Sequence, residues 1–156
     1  MNKTLYLLCG CPGSGKSTYV EKHLTPNCAW CSRDLVRFSL LEDSDEYFAK
    51  EDLVFKTWIN KIKEEINNKE TSVIYVDATH LTPKARFKTL NSLPLENIDV
   101  IPISFELPLK VCLERNAKRQ GQAFVPENTV INMFQSYKAP TVNEKIKYKK
   151  IIRVKE

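Results

Sequence analysis

Apolar positions along this chain follow two rhythms. Short apolar or β-branched runs alternate with stretches in which apolar residues recur every three or four positions. The first rhythm is that of buried strands and the second that of amphipathic helices. The opening run, residues 3–9, carries Leu5, Tyr6, Leu7 and Leu8 and predicts a strand. A helix follows from 16 to about 24 and stops before the turn signal Thr25-Pro26-Asn27. A short strand over 29–32 and a helix over 35–41 come next. The clearest helix spans 47–68, where Phe55, Trp58, Ile59, Ile62 and Ile66 form one stripe and Lys and Glu fill the other side. That spacing assigns its aromatic residues to a core.

The β-branched run 72–76 predicts a third strand that ends in Asp77-Ala78-Thr79-His80. Thr82 and Pro83 then supply an N-cap and a first-turn proline for a helix to about Ser92. A fourth strand covers 99–105, with Pro102 pointing to an edge or a bulge. Residues 109–119 read as a helix with Leu109, Cys112 and Leu113 inward, and 120–125 as a loop around Gly121. Pro126 opens a last helix carrying Val130, Ile131, Met133, Phe134 and Tyr137, and Ile151, Ile152 and Val154 close the chain as a strand. Strands separated by helices imply a parallel sheet with helices on both faces and ligands at the carboxyl ends of the strands.

Composition narrows this picture. The 156 residues suit one domain, 1–156, and 42% hydrophobic residues suffice for its core. No apolar run nears the twenty residues of a membrane span, and Met1-Asn2-Lys3 leads straight into the first strand. A cytoplasmic protein without a membrane partner is the expectation. Five cysteines make an odd set for a disulfide framework. Cys28 and Cys31 have redox-motif spacing, yet they lead into a strand and have no second pair to complete a zinc site, so a structural role is expected of them. The net charge of +5 suits an anionic ligand of any kind. The lysines and arginine between Lys145 and Lys155 read as the solvated face of the terminal strand.

The chemistry concentrates in residues 10–18: Gly10, Cys11, Pro12, Gly13, Ser14, Gly15, Lys16, Ser17 and Thr18. This is Gly, four residues, Gly-Lys-Ser, between a predicted strand and a predicted helix, the context that makes a phosphate loop. Its glycines allow backbone N–H groups to ring an anion, and the helix directs its positive end at the same place. Lys16 is placed to reach the β- and γ-phosphates of a nucleotide, and the Ser17 hydroxyl to ligate Mg²⁺. ATP and Mg²⁺ are therefore the expected cofactors.

Other polar groups are candidates for the acceptor side. Asp34 and Arg37, three apart at a helix start, share a face, and a carboxylate there can orient an acceptor hydroxyl. A cap or a surface ion pair is the alternative for Asp34. Asp77 follows a buried strand, where such proteins keep a carboxylate linked to Mg²⁺, although an Asx turn would look the same. His80 has no triad or metal spacing and reads as a polar loop residue without catalytic duty. Arg115 and Arg119, four apart on the predicted helix, form a candidate lid over the phosphates, and solvated helix arginines are the alternative.

In this order, GCPGSGKST, Ser32-Arg33-Asp34-Leu35-Val36-Arg37, Asp77-Ala78-Thr79-His80-Leu81-Thr82-Pro83 and Glu114-Arg115-Asn116-Ala117-Lys118-Arg119, the chain resembles the kinase domain of phage-type 5′-hydroxyl polynucleotide kinases in the P-loop kinase superfamily. The resemblance implies a P-loop NTPase-type parallel sheet with a helical lid, and 5′-OH ends of DNA or RNA as partners. It makes Asp34 the general base, Arg37 the ligand of the phosphate beside the acceptor nucleoside, and Arg119 the contact to the donor phosphates, supported by Arg115. Asp77 and Thr79 would sit on the acceptor side. Two departures stand out. The Asp-x-Asp-Gly-Thr sequence of the phage enzyme's phosphatase domain does not occur, so no attached 3′-phosphatase is expected. Where the family usually has Asp-Thr-Asn, this chain has Asp77-Ala78-Thr79, a form that small-molecule kinases also approach. A kinase of a small hydroxyl acceptor therefore stays open as the alternative. An ATP-binding regulatory module also stays open, though it would need no Asp34 and Arg37 pair.

Overall fold

A computed structural model describes residues 2–155. Five strands form one parallel sheet: β1 (Lys3–Cys9), β2 (Cys28–Ser32), β3 (Val73–Asp77), β4 (Ile98–Phe105) and β5 (Ile152–Val154), in the order β2-β3-β1-β4-β5. Six helices flank it: α1 (Lys16–His23), α2 (Arg33–Leu40), α3 (Glu51–Asn67), α4 (Pro83–Asn91), α5 (Leu109–Ala117) and α6 (Glu127–Ser136). The expected α/β architecture is therefore present, with β1 at its centre.

The unbroken apolar run of β1 has a physical reason. Side chains alternate between faces along a strand, and both faces here are covered. Leu5, Leu7 and Cys9 join a core with Val36 of α2, Trp58 and Ile62 of α3 and Leu90 of α4. Leu8 joins the opposite core with Val20 of α1, Cys112 of α5 and Val130 of α6. The aromatic stripe of α3 is core, as its spacing predicts: Trp58 is fully buried and its indole N–H donates to the Cys31 carbonyl at 2.9 Å.

Several boundaries differ from expectation. The helix predicted over 47–68 begins only at Glu51, because the chain before it is held in turns by side-chain contacts to α2. The helix predicted to start at 35 starts at Arg33, capped by the Ser32 hydroxyl, which accepts from the Leu35 N–H at 3.2 Å. Asp34 is therefore not the cap. The helix predicted over 109–119 stops at Ala117, and Arg119 lies beyond it. Asn116, buried there, donates to the Val125 carbonyl at 2.6 Å and accepts from the Val125 N–H at 3.1 Å, folding residues 118–125 into a fastened arm. Pro102 occupies an interior strand, and pairing with β5 begins only at Ile103, so β1 is its one strand neighbour at that point.

Two buried polar groups brace the floor under β1 and β3. His80 is in a loop, as expected, but its side chain is buried. Its Nδ1 faces the Leu8 carbonyl at 2.7 Å and must donate, leaving Nε2 to accept from the Thr89 hydroxyl at 3.0 Å. Burial pushes the imidazole down to about 3, so it stays neutral. Arg86 of α4 is fully buried. It donates to the carbonyls of His80 and Lys138, both at 2.8 Å, and forks onto Glu144 at 3.0 and 2.8 Å. All five cysteines are free thiols, Cys28 and Cys31 included.

Candidate active site

The carboxyl ends of β1, β2 and β3 deliver three loops to one cleft of about 450 Å³. Its lining includes every predicted site residue except Gly10 and Cys11, which are buried at the start of the phosphate loop. Tyr47, Phe48, Glu51 and Met133 also line it and were not predicted.

The donor wall is the loop between β1 and α1. Gly13 and Gly15 have φ of 81° and 96°, left-handed values that favour glycine. A Cβ on Gly13 would fall 2.4 Å from the Cys112 carbonyl oxygen, and one on Gly15 would fall 2.7 Å from the Arg115 guanidinium. The loop thus lies directly against α5. The Cys11 thiol, 3.2 Å from the Cys112 sulfur, adds a second tie, and this contact lowers the pKa of the Cys112 thiol. Lys16 donates to the carbonyls of Gly10 and Cys11 at 2.9 and 3.2 Å, which holds its ammonium over the cradle. Among the described residues the buried Ser14 hydroxyl has no hydrogen-bond partner. A cradle of left-handed glycines, a centred lysine and an unpartnered hydroxyl fit a polyphosphate. Ser17 and Asp77 both line the cleft, and their oxygens suit Mg²⁺, a metal that takes few protein ligands.

The acceptor wall is a charge network seeded by α2. Arg37, 4% exposed, donates to Asp34 Oδ1 and to the Tyr47 hydroxyl at 2.7 Å. Its Nε and Nη2 approach Glu51 Oε1 at 2.8 and 2.7 Å. The other Glu51 oxygen takes Arg33 at 2.9 Å. Tyr47 donates its hydroxyl hydrogen to the same Asp34 oxygen, Oδ1. Burial, with the Asp34 charge adding to it, pushes the Tyr47 phenol well above its usual range, so it remains a donor. Among the described residues Asp34 is therefore gripped on one oxygen only, and Oδ2 is the oxygen left to the cleft.

Asp77 sits between the walls, buried at the end of β3. Burial raises its pKa, while Lys16 and a 3.0 Å hydrogen bond from the Trp30 indole pull the other way. Thr79 accepts the Gly10 N–H through its carbonyl at 2.9 Å, which ties the β3 loop to the phosphate loop. Arg115, in the last turn of α5 beside Gly15, and Arg119, on the arm, also line the cleft, and Arg119 reaches the Ala123 carbonyl at 3.5 Å.

In sequence comparison, residues 5–140 match the AAA domain family. The chain belongs to that family. Its fold is that of P-loop NTPases, and three solved structures share it. A chain of the Pnkp1/Rnl/Hen1 RNA repair complex matches with a TM-score of 0.70 and 23% identity, over 86% of this chain and 44% of that one. The present chain thus spans less than half of that relative. A fungal RNA kinase matches with a TM-score of 0.69 and 12% identity, over 97% of this chain and 73% of that one. A gluconokinase from Sinorhizobium meliloti 1021 matches with a TM-score of 0.54 and 17% identity, over 96% and 81%. No helix among the described residues is long and apolar enough to cross a membrane.

Proposed function

We propose that this AAA domain protein transfers the γ-phosphate of ATP to the 5′-hydroxyl end of DNA or RNA. The observation that carries the reading is the Asp34 carboxylate, fixed through one oxygen by Arg37 and Tyr47 and sharing a cleft with Lys16. In this reading Oδ2 orients the acceptor hydroxyl and takes its proton late, which a loose transition state permits. Lys16 balances the charge on the β- and γ-phosphates. Arg115 on α5 and Arg119 on the arm would face the same phosphates, where fixed cations stabilise charge as it develops. Mg²⁺ held by Ser17, with Asp77 nearby, would supply further charge neutralisation.

One observation favours a second reading, a kinase of a small hydroxyl compound. Three of the five N–H groups of Arg37 are already taken by hydrogen bonds, and Nη2, which carries the other two, lies 2.7 Å from Glu51 Oε1, which leaves little for a phosphate beside the acceptor. Arg33, Asp34, Arg37 and Glu51 also sum to no net charge. A labelled-phosphate assay separates the two. The polynucleotide reading expects transfer to a 5′-OH oligonucleotide, faster when the terminal nucleoside carries a 3′-phosphate. Transfer to small alcohols with none to oligonucleotides would overturn it.

A further inference from the structure

We propose that Phe48 is a stacking platform for the terminal nucleobase of the acceptor. This rests on the nucleic-acid reading above and gives that acceptor a subsite that the phosphate chemistry does not require.

Phe48 is 53% exposed, and of the exposed large hydrophobic residues among the described ones it alone lines the cleft. It belongs to neither core. Its ring packs on Tyr47 at 4.6 Å between centroids and 89° between planes, and the Arg37 guanidinium carbon lies 5.7 Å from its centroid.

Its position selects the ligand. Tyr47 hydrogen-bonds Asp34 at one end of its ring and packs against Phe48 with the ring itself. One tyrosine ring therefore separates the carboxylate meant for the 5′-hydroxyl from the exposed phenyl. In a nucleoside, one pentose separates the 5′-hydroxyl from the base. A hydroxyl on Asp34 Oδ2 brings the attached base toward Phe48, whereas a small alcohol would have nothing to place there. The helical rhythm read through residue 47 hides this role, because it assigns Phe48 to α3; the helix starts three residues later, and the turn before it sends the ring to the cleft.

Stacking uses the face that every base has, so the platform discriminates base from no base and hardly among the four bases. The decisive experiment compares 5′-OH oligonucleotides that end in a normal nucleoside or in an abasic tetrahydrofuran residue, with wild type, F48A and F48W. Wild type is expected to show KM about 5- to 150-fold higher for the abasic end. F48A should show a similar rise for the normal end and little further penalty for the abasic one, while F48W keeps the wild-type pattern. Melting temperature and ATP affinity establish that each variant is folded. An F48A protein that retains the full abasic penalty overturns the platform and leaves the kinase reading standing. No transfer by wild type to either oligonucleotide overturns both.

Discussion

Glu144→Ala should be among the most damaging single changes in the protein, although it lies outside the cleft. Glu144 is 8% exposed in its side chain, and it is the one carboxylate on the fully buried Arg86 among the described residues. Its removal leaves a guanidinium in the core with two carbonyl partners and no counter-charge, a change that costs about 3–5 kcal/mol. Against a total stability of about 5–15 kcal/mol, that is a large fraction. For a domain of this size it corresponds to a drop of about 6–20 °C in melting temperature, readable by circular dichroism at pH 7. Adding Arg86→Met removes the stranded charge, so the double variant should lose less than the two single variants summed. Acid should act on the same pair. Burial alone would raise the Glu144 carboxyl, but hydrogen bonds from Arg86, Tyr148 and the Thr141 N–H outweigh it and hold the group below its ordinary 4.5. A carboxyl lowered in the fold contributes fully above 4.5 and loses its contribution as pH falls through the folded value. Glu144→Ala should lack that part of the acid loss. A variant that melts within about 2 °C of wild type would show that the charge is not buried as described.

Three further outcomes follow from the cleft. Asp34→Asn should cut turnover by about 10²- to 10⁴-fold with ATP affinity kept, and a loss under tenfold would remove Asp34 from the proton path. Tyr47→Phe deletes the donor on Asp34 Oδ1 and should lower kcat/KM by about 10- to 100-fold; unchanged kinetics would mean that Arg37 alone fixes the carboxylate. Gly13→Ala sets a Cβ against the Cys112 carbonyl at a left-handed φ, at a cost of about 2–5 kcal/mol, to be read as a lower melting temperature and weaker ATP binding; a variant as stable as wild type would show that α5 yields freely.

The donor wall was legible in the sequence because its spacing is local: strand, glycines, lysine and helix occupy consecutive positions, and the structure has them there. The sheet was legible for a similar reason, since strands buried on both faces read as continuous apolar runs. The acceptor wall was only half legible. Asp34 and Arg37 are three residues apart, but Tyr47 and Glu51 reach them across a turn whose shape depends on those same contacts. The end of α5 was misread because Asn116 and Val125 meet through side-chain hydrogen bonds that no periodicity records. His80 gave no sign of burial, because its partners Leu8 and Thr89 belong to other elements.

The contact of Gly13 and Cys11 with Cys112 gears the donor seat to the arginine arm. The seat thus touches the helix that carries Arg115 and leads to Arg119. On the function proposed above, a nucleotide in the seat would press on the helix that adjoins it, and Arg115 and Arg119 would be set by the same contact that sets the phosphates.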